Sequence, residues 1–199
     1  MAAVKAVHRA MVQPGSLVLV SSPTERQSAE FLRKSAEMMS RLKLKARGDG
    51  DNAISLLLPN GSRIVGLPGT EATVRGFSKA SLILIDEASR VDDQLYKALR
   101  PMLAVGDGDL WLMSTPYGKR GFFYECWELA SEDWFRISAP ATECPRIRSS
   151  FLEEERSSMG SAWFDQEYMC QFVDNGTTVF GRDLVEKAFD SDIAPLDLR

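Results

Sequence analysis

The order of apolar and polar residues predicts strands and helices that alternate along most of the chain. Short apolar runs bounded by turn residues have the length and β-rich composition of buried parallel strands. Such runs cover residues 16–22, 81–85, 109–114 and, after a longer interval, 133–139. Two further apolar stretches within 53–67 flank Asn60-Gly61, a strong turn signal that predicts a β-hairpin.

Helical periodicity lies between these runs. Predicted helices cover residues 2–12, 24–44, 92–103 and 122–130. In the first helix Val4, Val7 and Met11 have helical spacing and share a face. At the start of the second helix, Thr24 has capping-box spacing with Gln27.

The C-terminal part differs, because its helical patterns are no longer separated by strands. Residues 149–172 predict two helices broken at Gly160, and residues 181–189 predict a short third helix. We therefore expect an α/β fold in which a mostly parallel sheet is flanked by helices, with a small C-terminal helical subdomain. The change in character divides the chain into domains 1–140 and 141–199.

Composition narrows the class of protein. Of the 199 residues, 44% are hydrophobic and 26% charged, which is typical of a globular domain. The chain has no apolar run near the roughly 20 residues that cross a bilayer, and its first residues lack the apolar core of a signal peptide. Its three cysteines form no CxxC pair, so we expect a reducing, cytoplasmic setting and no membrane partner.

Charge is distributed unevenly along the chain. Residues 1–80 carry a net charge of +6 and residues 81–199 a net charge of −10, so the overall value of −4 does not exclude a nucleic-acid partner. Cations of the basic part that can track a nucleic-acid backbone are Arg33, Lys34, Lys43, Lys45 and Arg47. The alternative is a solvated helix surface, which charge alone favours.

Two adjacent carboxylates, Asp86 and Glu87, follow the apolar run 81–85. At the carboxyl edge of a parallel strand they lie where open α/β sheets bind ligands. There one acid can hold Mg²⁺ through water, and the next can orient, or take a proton from, a water that attacks a γ-phosphate. Alternatively, the two acids have no catalytic role and are only polar residues at the strand end or caps of the next helix. Ser114 and Thr115 end the next predicted strand, where their hydroxyls can sense that phosphate or merely form a turn.

Ser22, Thr24 and Gln27 follow the first strand at a helix N-terminus, which is an anion-binding position. For Thr24 and Gln27, capping alone is a sufficient alternative. Arg75 lies in a small polar loop 11 positions before Asp86. It can supply charge to a phosphate in the same or a neighbouring subunit, or instead pin the loop to a carboxylate. The phosphate-cradling motif G-x-x-x-x-G-K-[ST] does not occur in the sequence.

Four stretches in this order resemble the ATPase domain of the large terminase subunit, the DNA-packaging motor of tailed bacteriophages and their prophages. They are residues 17–34, 69–103, 110–128 and 151–174. The resemblance implies an incomplete P-loop NTPase core with a C-terminal lid. It also implies that Asp86 is the Walker B aspartate that holds Mg²⁺ and that Glu87 is the catalytic glutamate. Ser114-Thr115 would then be the coupling motif, and Arg75 a trans-acting arginine finger.

The same resemblance implies ATP and Mg²⁺ as cofactors, and double-stranded DNA, a portal protein and a small terminase subunit as partners. It further implies a homo-oligomeric ring in the host bacterial cytoplasm. In the family a P-loop precedes a helix like residues 2–12 and a nuclease domain follows the lid, so we expect a core without either and with weak or no ATPase activity alone. The alternatives are a non-catalytic prophage remnant or DNA- or partner-binding module, and a helicase-like translocase fragment.

Overall fold

The computed structural model describes residues 1–51, 54–67, 74, 76–130, 133–174 and 188. The chain divides into two compact units. The first unit consists of Met1–Thr115 and Gly121–Phe123, and the second of Pro116–Arg120 and Tyr124–Arg199. The predicted domain boundary near residue 140 stays a prediction. Apart from residue 188, the helix predicted over 181–189 lies outside the described residues.

The first unit is built on a five-stranded sheet. Its strands are β1 Leu17–Ser21, β2 Ser55–Leu57, β3 Arg63–Leu67, β4 Ala80–Asp86 and β5 Asp109–Met113. They lie in the order β2-β3-β1-β4-β5, and β2 and β3 form an antiparallel hairpin. The other neighbouring pairs are parallel. The α/β class, the mostly parallel sheet and the hairpin at Asn60-Gly61 are therefore confirmed.

Helices connect these strands and make up the C-terminal part of the described chain. They are α1 Ala2–Val12, α2 Glu25–Arg41, α3 Asp93–Leu99, α4 Gly121–Tyr124, α5 Ser149–Met159 and α6 Ser161–Glu167. Short 3-10 helices cover Ala88–Arg90, Arg100–Leu103 and Ala141–Glu143, and a π-helical turn, Glu125–Leu129, continues α4. The helix predicted over 92–103 becomes 3-10 after Leu99, because Pro101 lacks the amide that would continue the α-helical ladder.

Strand β4 is buried along nearly its whole length. It pairs with β1 on one side and with β5 on the other. Leu82 and Leu84 belong to an apolar cluster with α1 and α2, whereas Ile83 and Ile85 alternate onto the opposite face and are also fully buried. A strand buried on both faces needs apolar residues at every position, which explains the unbroken run in the sequence.

Helix α1 lies against the sheet through its small residues. Ala6, Val7 and Ala10 are buried, whereas Val4 and Met11 are largely exposed. The predicted apolar face is therefore wrong for two of its three residues. Alanine side chains allow the helix to approach the sheet closely, and this close approach selects the buried face.

Arg9 fixes α1 to the beginning of two strands. Its guanidinium donates a hydrogen bond to the Ser81 carbonyl oxygen at 2.7 Å and pairs with the Asp109 carboxylate. One turn earlier, the Lys5 ammonium lies 4.9 Å from the ring centroid of Trp111. These contacts hold α1 across β4 and β5 at the sheet edge opposite to the acid pair.

Tyr168 joins helices α5 and α6 of the second unit. Its hydroxyl donates to the Glu155 carboxylate at 2.9 Å, and this hydrogen bond raises the pKa of the Tyr168 phenol. Its ring packs on Phe164 and Phe151, with centroids 5.3 and 6.2 Å away. The two predicted helices and their break at Gly160, where φ is 81°, are confirmed.

The last predicted strand, DWFRISA, is wrong. Phe135 and Ile137 are 89% and 72% exposed. Between them, Arg136 donates to the carbonyl oxygens of Cys126 and Ala130, at 3.0 Å each. The alternating pattern thus belongs to an extended segment that an arginine holds against the preceding helical turn, and not to a strand of the sheet.

Gly108, which precedes β5, lies where no side chain fits. A Cβ atom there would lie 2.2 Å from the Ala80 carbonyl oxygen and 2.8 Å from a Leu103 methyl carbon. We expect Gly108→Ala to lower the free energy of unfolding by about 1–3 kcal/mol, as overpacking does, in urea denaturation. Gly48→Ala is the matched control, because its Cβ would meet only the Ser55 hydroxyl, at 4.0 Å. Equal stability of the two variants would contradict this packing.

Candidate functional site

The carboxyl ends of β1, β4 and β5 meet at one edge of the sheet. The register pairs Asp86 of β4 with Met113 of β5, and it aligns Ser21 of β1 one position earlier. Continued by one residue, the same register places Ser22 beside Asp86 and Ser114 at the end of β5. The edge therefore aligns Ser22 with Asp86, and Ser114 follows one position beyond the pair Asp86–Met113.

The chain leaves β4 through an unusual backbone conformation at Glu87. Its φ and ψ are 52° and 42°, in the left-handed region that costs a residue with a side chain roughly 1–2 kcal/mol. The 3-10 helix Ala88–Arg90 begins immediately afterwards, and Ala88 and Val91 are buried. The burial of these two residues in the core fixes the turn. The two predicted acids, Asp86 and Glu87, are partly exposed at the carboxyl edge of the sheet.

Ser21 and Ser22 are both fully buried, with 0% of their surface exposed. Neither side-chain oxygen has a hydrogen-bond partner among the residues that the structure describes. A buried hydroxyl without a partner costs about 1–3 kcal/mol, so such groups are rare in native structures. Ser21 is aligned with Ile85 of β4, and Ser22 follows it at the level of Asp86.

Ser114 contacts the turn that follows the acids. Its Oγ lies 2.7 Å from Ser89 Oγ and accepts a hydrogen bond from the Ser89 amide at 3.2 Å. Thr115, the other predicted coupling residue, is half-buried and is the last residue of the first unit before the chain passes into the second. The structure therefore brings Ser114 to the segment after Glu87 through Ser89, which is not among the predicted site residues.

The N-terminus of α2 forms the predicted capping box. The Gln27 amide donates to Thr24 Oγ1 at 3.3 Å, and the Thr24 amide donates to Gln27 Oε1 at 3.2 Å. The Thr24 hydroxyl also donates to Gln27 Oε1, at 2.7 Å. Capping accounts for both side chains, and their contact with a phosphate stays a prediction.

Arg33 and Lys34 lie on the exposed side of α2 together with Glu30 and Glu37. Arg33 pairs with both acids, and Lys34 Nζ lies 3.8 Å from Glu30. The hydrogen bond from Arg33 holds the pKa of Glu30 below its ordinary value, and the same bond raises the pKa of Arg33. These two cations are therefore neutralised within their own helix.

The remaining predicted cations, Lys43, Lys45 and Arg47, follow α2 and are exposed. The residues between them, Leu44 and Ala46, pack against the apolar cluster under α1 and α2. In the part of the chain that the structure describes, none of the three cations is in an ion pair. They form the basic strip of the first unit, whereas the predicted arginine finger, Arg75, lies outside the described residues.

The side chains at this edge fit a magnesium ion that is bound mainly through water. Among the described residues, no group of three or more His, Cys, Asp or Glu side chains is placed to hold a metal. An ion beside Asp86 would thus be held by few carboxylates and mainly by water, which is how Mg²⁺ binds. The Ser22 hydroxyl, which has no partner among the residues described, is a candidate for a hydrogen bond to that water.

The sheet is that of an open α/β domain, a class of fold whose members bind ligands at the carboxyl ends of parallel strands. The family model described as the large terminase subunit, T4likevirus-type, N-terminal, matches residues 1–187. The chain belongs to this family. A comparison with curated proteins gives no match. No helix within the described ranges has the length and apolar character needed to cross a membrane.

Solved structures share the fold. A mutant of the large terminase ATPase domain from Thermus phage P74-26 has a TM-score of 0.74 and 21% identity, over 86% of this chain and 83% of that chain. A large terminase from a thermophilic bacteriophage, in complex with ADP, has a TM-score of 0.71 and 11% identity, over 86% of this chain and 44% of that chain. Its complex with ATP-gamma-S gives 0.70 and 11%, over 86% and 43%. This chain thus spans less than half of those two structures.

Because the Ser22 hydroxyl has no partner among the described residues, its removal should stabilise the ligand-free chain. We expect Ser22→Ala to raise the free energy of unfolding by about 1 kcal/mol, measured by urea denaturation. Ser28→Ala is the matched control, because Ser28 is equally buried but donates to the Leu67 carbonyl oxygen at 3.2 Å. That variant should lose about 1 kcal/mol. A similar loss in both variants would show that the Ser22 hydroxyl has a partner.

Proposed function

We propose that this chain is the ATP-hydrolysing part of a motor that moves double-stranded DNA into a viral procapsid. The observation that carries the proposal is the sheet edge where Asp86 ends β4 and Glu87 follows it, in a chain of the large terminase family. Ser22, whose hydroxyl has no partner among the described residues, follows the neighbouring strand β1 in register with Asp86. Structures of the same fold in complex with ADP and with ATP-gamma-S support it. ATP is the proposed nucleotide, and Mg²⁺ the proposed metal.

In this mechanism the acids Asp86 and Glu87 and three hydroxyl residues near them each have one task. Asp86 would hold Mg²⁺ through water, and the Ser22 hydroxyl would bond to the same water shell. The metal, when bound, neutralises charge on the β- and γ-phosphates. Glu87 orients the attacking water and accepts its proton. Ser114, in contact with the segment after Glu87, and Thr115, next to it, pass the state of the site to the chain that enters the second unit.

We propose that a segment other than these 199 residues supplies the phosphate cradle, because they contain no G-x-x-x-x-G-K-[ST] motif. Strand β5 offers the place for such a segment. It lies at the end of the described sheet, and Leu110 to Met113 are half-buried, whereas β1 is buried at every residue. A strand added parallel to β5 would bring its following loop to the edge that holds the acids.

The family relation also suggests the remaining partners. We propose a ring of identical subunits that works with a portal protein and a small terminase subunit in the host cytoplasm. In this ring Arg75 supplies positive charge to the nucleotide of a neighbouring subunit. The basic strip Lys43, Lys45 and Arg47 contacts the DNA backbone, since its charges are not paired within the described chain.

A second candidate function is a non-catalytic module that binds DNA or a protein partner, such as a prophage remnant. The missing cradle motif favours it. The two functions differ in one respect: only the motor requires Glu87 once a phosphate cradle is supplied.

The first test joins the P-loop strand and loop of a large terminase to the amino end of this chain. We expect Mg²⁺-dependent ATP hydrolysis that Glu87→Gln lowers by about 10²–10⁴-fold, because the general base is lost. The 199 residues alone should show only background turnover. Glu153→Gln, at an exposed position of α5, is the matched control and should leave the rate unchanged.

Two results would refute the motor proposal. One is turnover by the unfused chain near that of the fused form. The other is turnover by the fused form that survives Glu87→Gln.

The second test concerns DNA. We expect the combined change Lys43→Ala, Lys45→Ala and Arg47→Ala to weaken binding to double-stranded DNA. The slope of log affinity against log salt should fall by about 3, since each phosphate contact contributes roughly 0.9. Fluorescence anisotropy over a salt series measures both quantities. Arg33→Ala with Lys34→Ala is the control, because the acids of α2 already pair with those cations; an equal loss there would contradict the assignment.

A further inference from the structure

Two side-chain contacts join the segment after Glu87 to the chain that follows β5. The first is the pair Ser89–Ser114, with hydroxyls 2.7 Å apart and the Ser89 amide donating to Ser114 Oγ at 3.2 Å. In the second, Asp93 Oδ1 accepts a hydrogen bond from the Phe122 amide at 2.9 Å. Both contacts lie within the first unit. We call these two pairs the clasp.

The second pair is reinforced by close packing. The Tyr96 ring stacks on the Phe122 ring, with centroids 4.2 Å apart and planes at 7°. Gly121 has a φ of 79°, and a Cβ atom there would lie 3.2 Å from Asp93 Oδ1. A glycine at this position therefore allows both the left-handed backbone and the approach of the carboxylate.

The clasp holds the chain at a point where it passes between the two units. Residues 116–120 belong to the second unit, residues 121–123 return to the first, and the chain from 124 onward belongs to the second again. Asp93 and Tyr96 contact residues 121–123 through Phe122. Both residues belong to α3, which begins six residues after Glu87. One short segment therefore links the left-handed turn at Glu87 to residues 121–123.

We propose that Ser89 and Asp93 are positioning residues, and that the clasp makes the Glu87 turn, residues 114–115 and residues 121–123 one cooperative body within the first unit. The left-handed conformation at Glu87 is unfavourable by itself and persists because surrounding contacts hold it. A shift of Glu87 is therefore transmitted to residues 121–123 and to the chain that leaves them. The importance of this link for catalysis rests on the role proposed for Glu87. The clasp itself rests only on the observed contacts and is independent of that role.

Hydrogen exchange followed by NMR tests the clasp, because one amide reports each pair. The Ser89 amide reports the contact with Ser114, and the Phe122 amide reports the contact with Asp93. We expect Asp93→Ala to speed exchange at both amides by about three- to tenfold, the effect of losing one hydrogen bond. Ser114→Ala should do the same. Asp93→Asn keeps the Oδ1 acceptor and should preserve the protection of both amides.

Exchange is expressed relative to the amides of β1, which report global unfolding. Ser40→Ala, at an exposed position of α2, is the control and should change neither amide. The proposal is overturned when Asp93→Ala affects only the Phe122 amide and Ser114→Ala only the Ser89 amide, or when neither variant changes either amide. Such a failure leaves the motor proposal intact, since that proposal is decided by turnover of the fused chain.

Discussion

The burial of β4 is the constraint on which the rest of the structure depends. Its residues from Ala80 to Ile85 are buried, so their backbone amides and carbonyls must be satisfied by neighbouring strands. Strands β1 and β5 meet this need from the two sides, and both run parallel to β4. Parallel strands end at the same edge. Asp86 is the first residue of β4 to leave the core, so the position of the acid pair follows from the packing.

The same edge carries features that reduce the stability of the ligand-free chain. Glu87 has a left-handed backbone, and Ser21 and Ser22 bury hydroxyls without partners in the described structure. Each feature costs on the order of 1–3 kcal/mol. Proteins retain such costs where function requires them. Their concentration on two adjacent strand ends is consistent with a site that a metal and a nucleotide complete.

Much of the sheet could be predicted from the sequence, because a short unbroken apolar run between turn residues is typical of a strand buried on both faces. Asp86 could be located for the same reason, as the first polar residue after such a run. The buried face of α1 could not, since Val4 and Met11 follow the pattern but the helix packs on its alanines. The Ser89–Ser114 contact joins residues 25 apart and depends on the register of two strands and a sharp turn, which no local pattern records.

The position of the metal is the sharpest test of the proposed site. A crystal of the chain fused to a P-loop segment, grown with Mn²⁺ and a non-hydrolysable ATP analogue, would show the ion by its anomalous scattering. We expect a peak beside Asp86, with water between the ion and the carboxylate and with Ser22 Oγ bonded to that water shell. Nucleotide bound with the metal away from the end of β4, and with Ser22 Oγ bonded only to protein, would contradict the site.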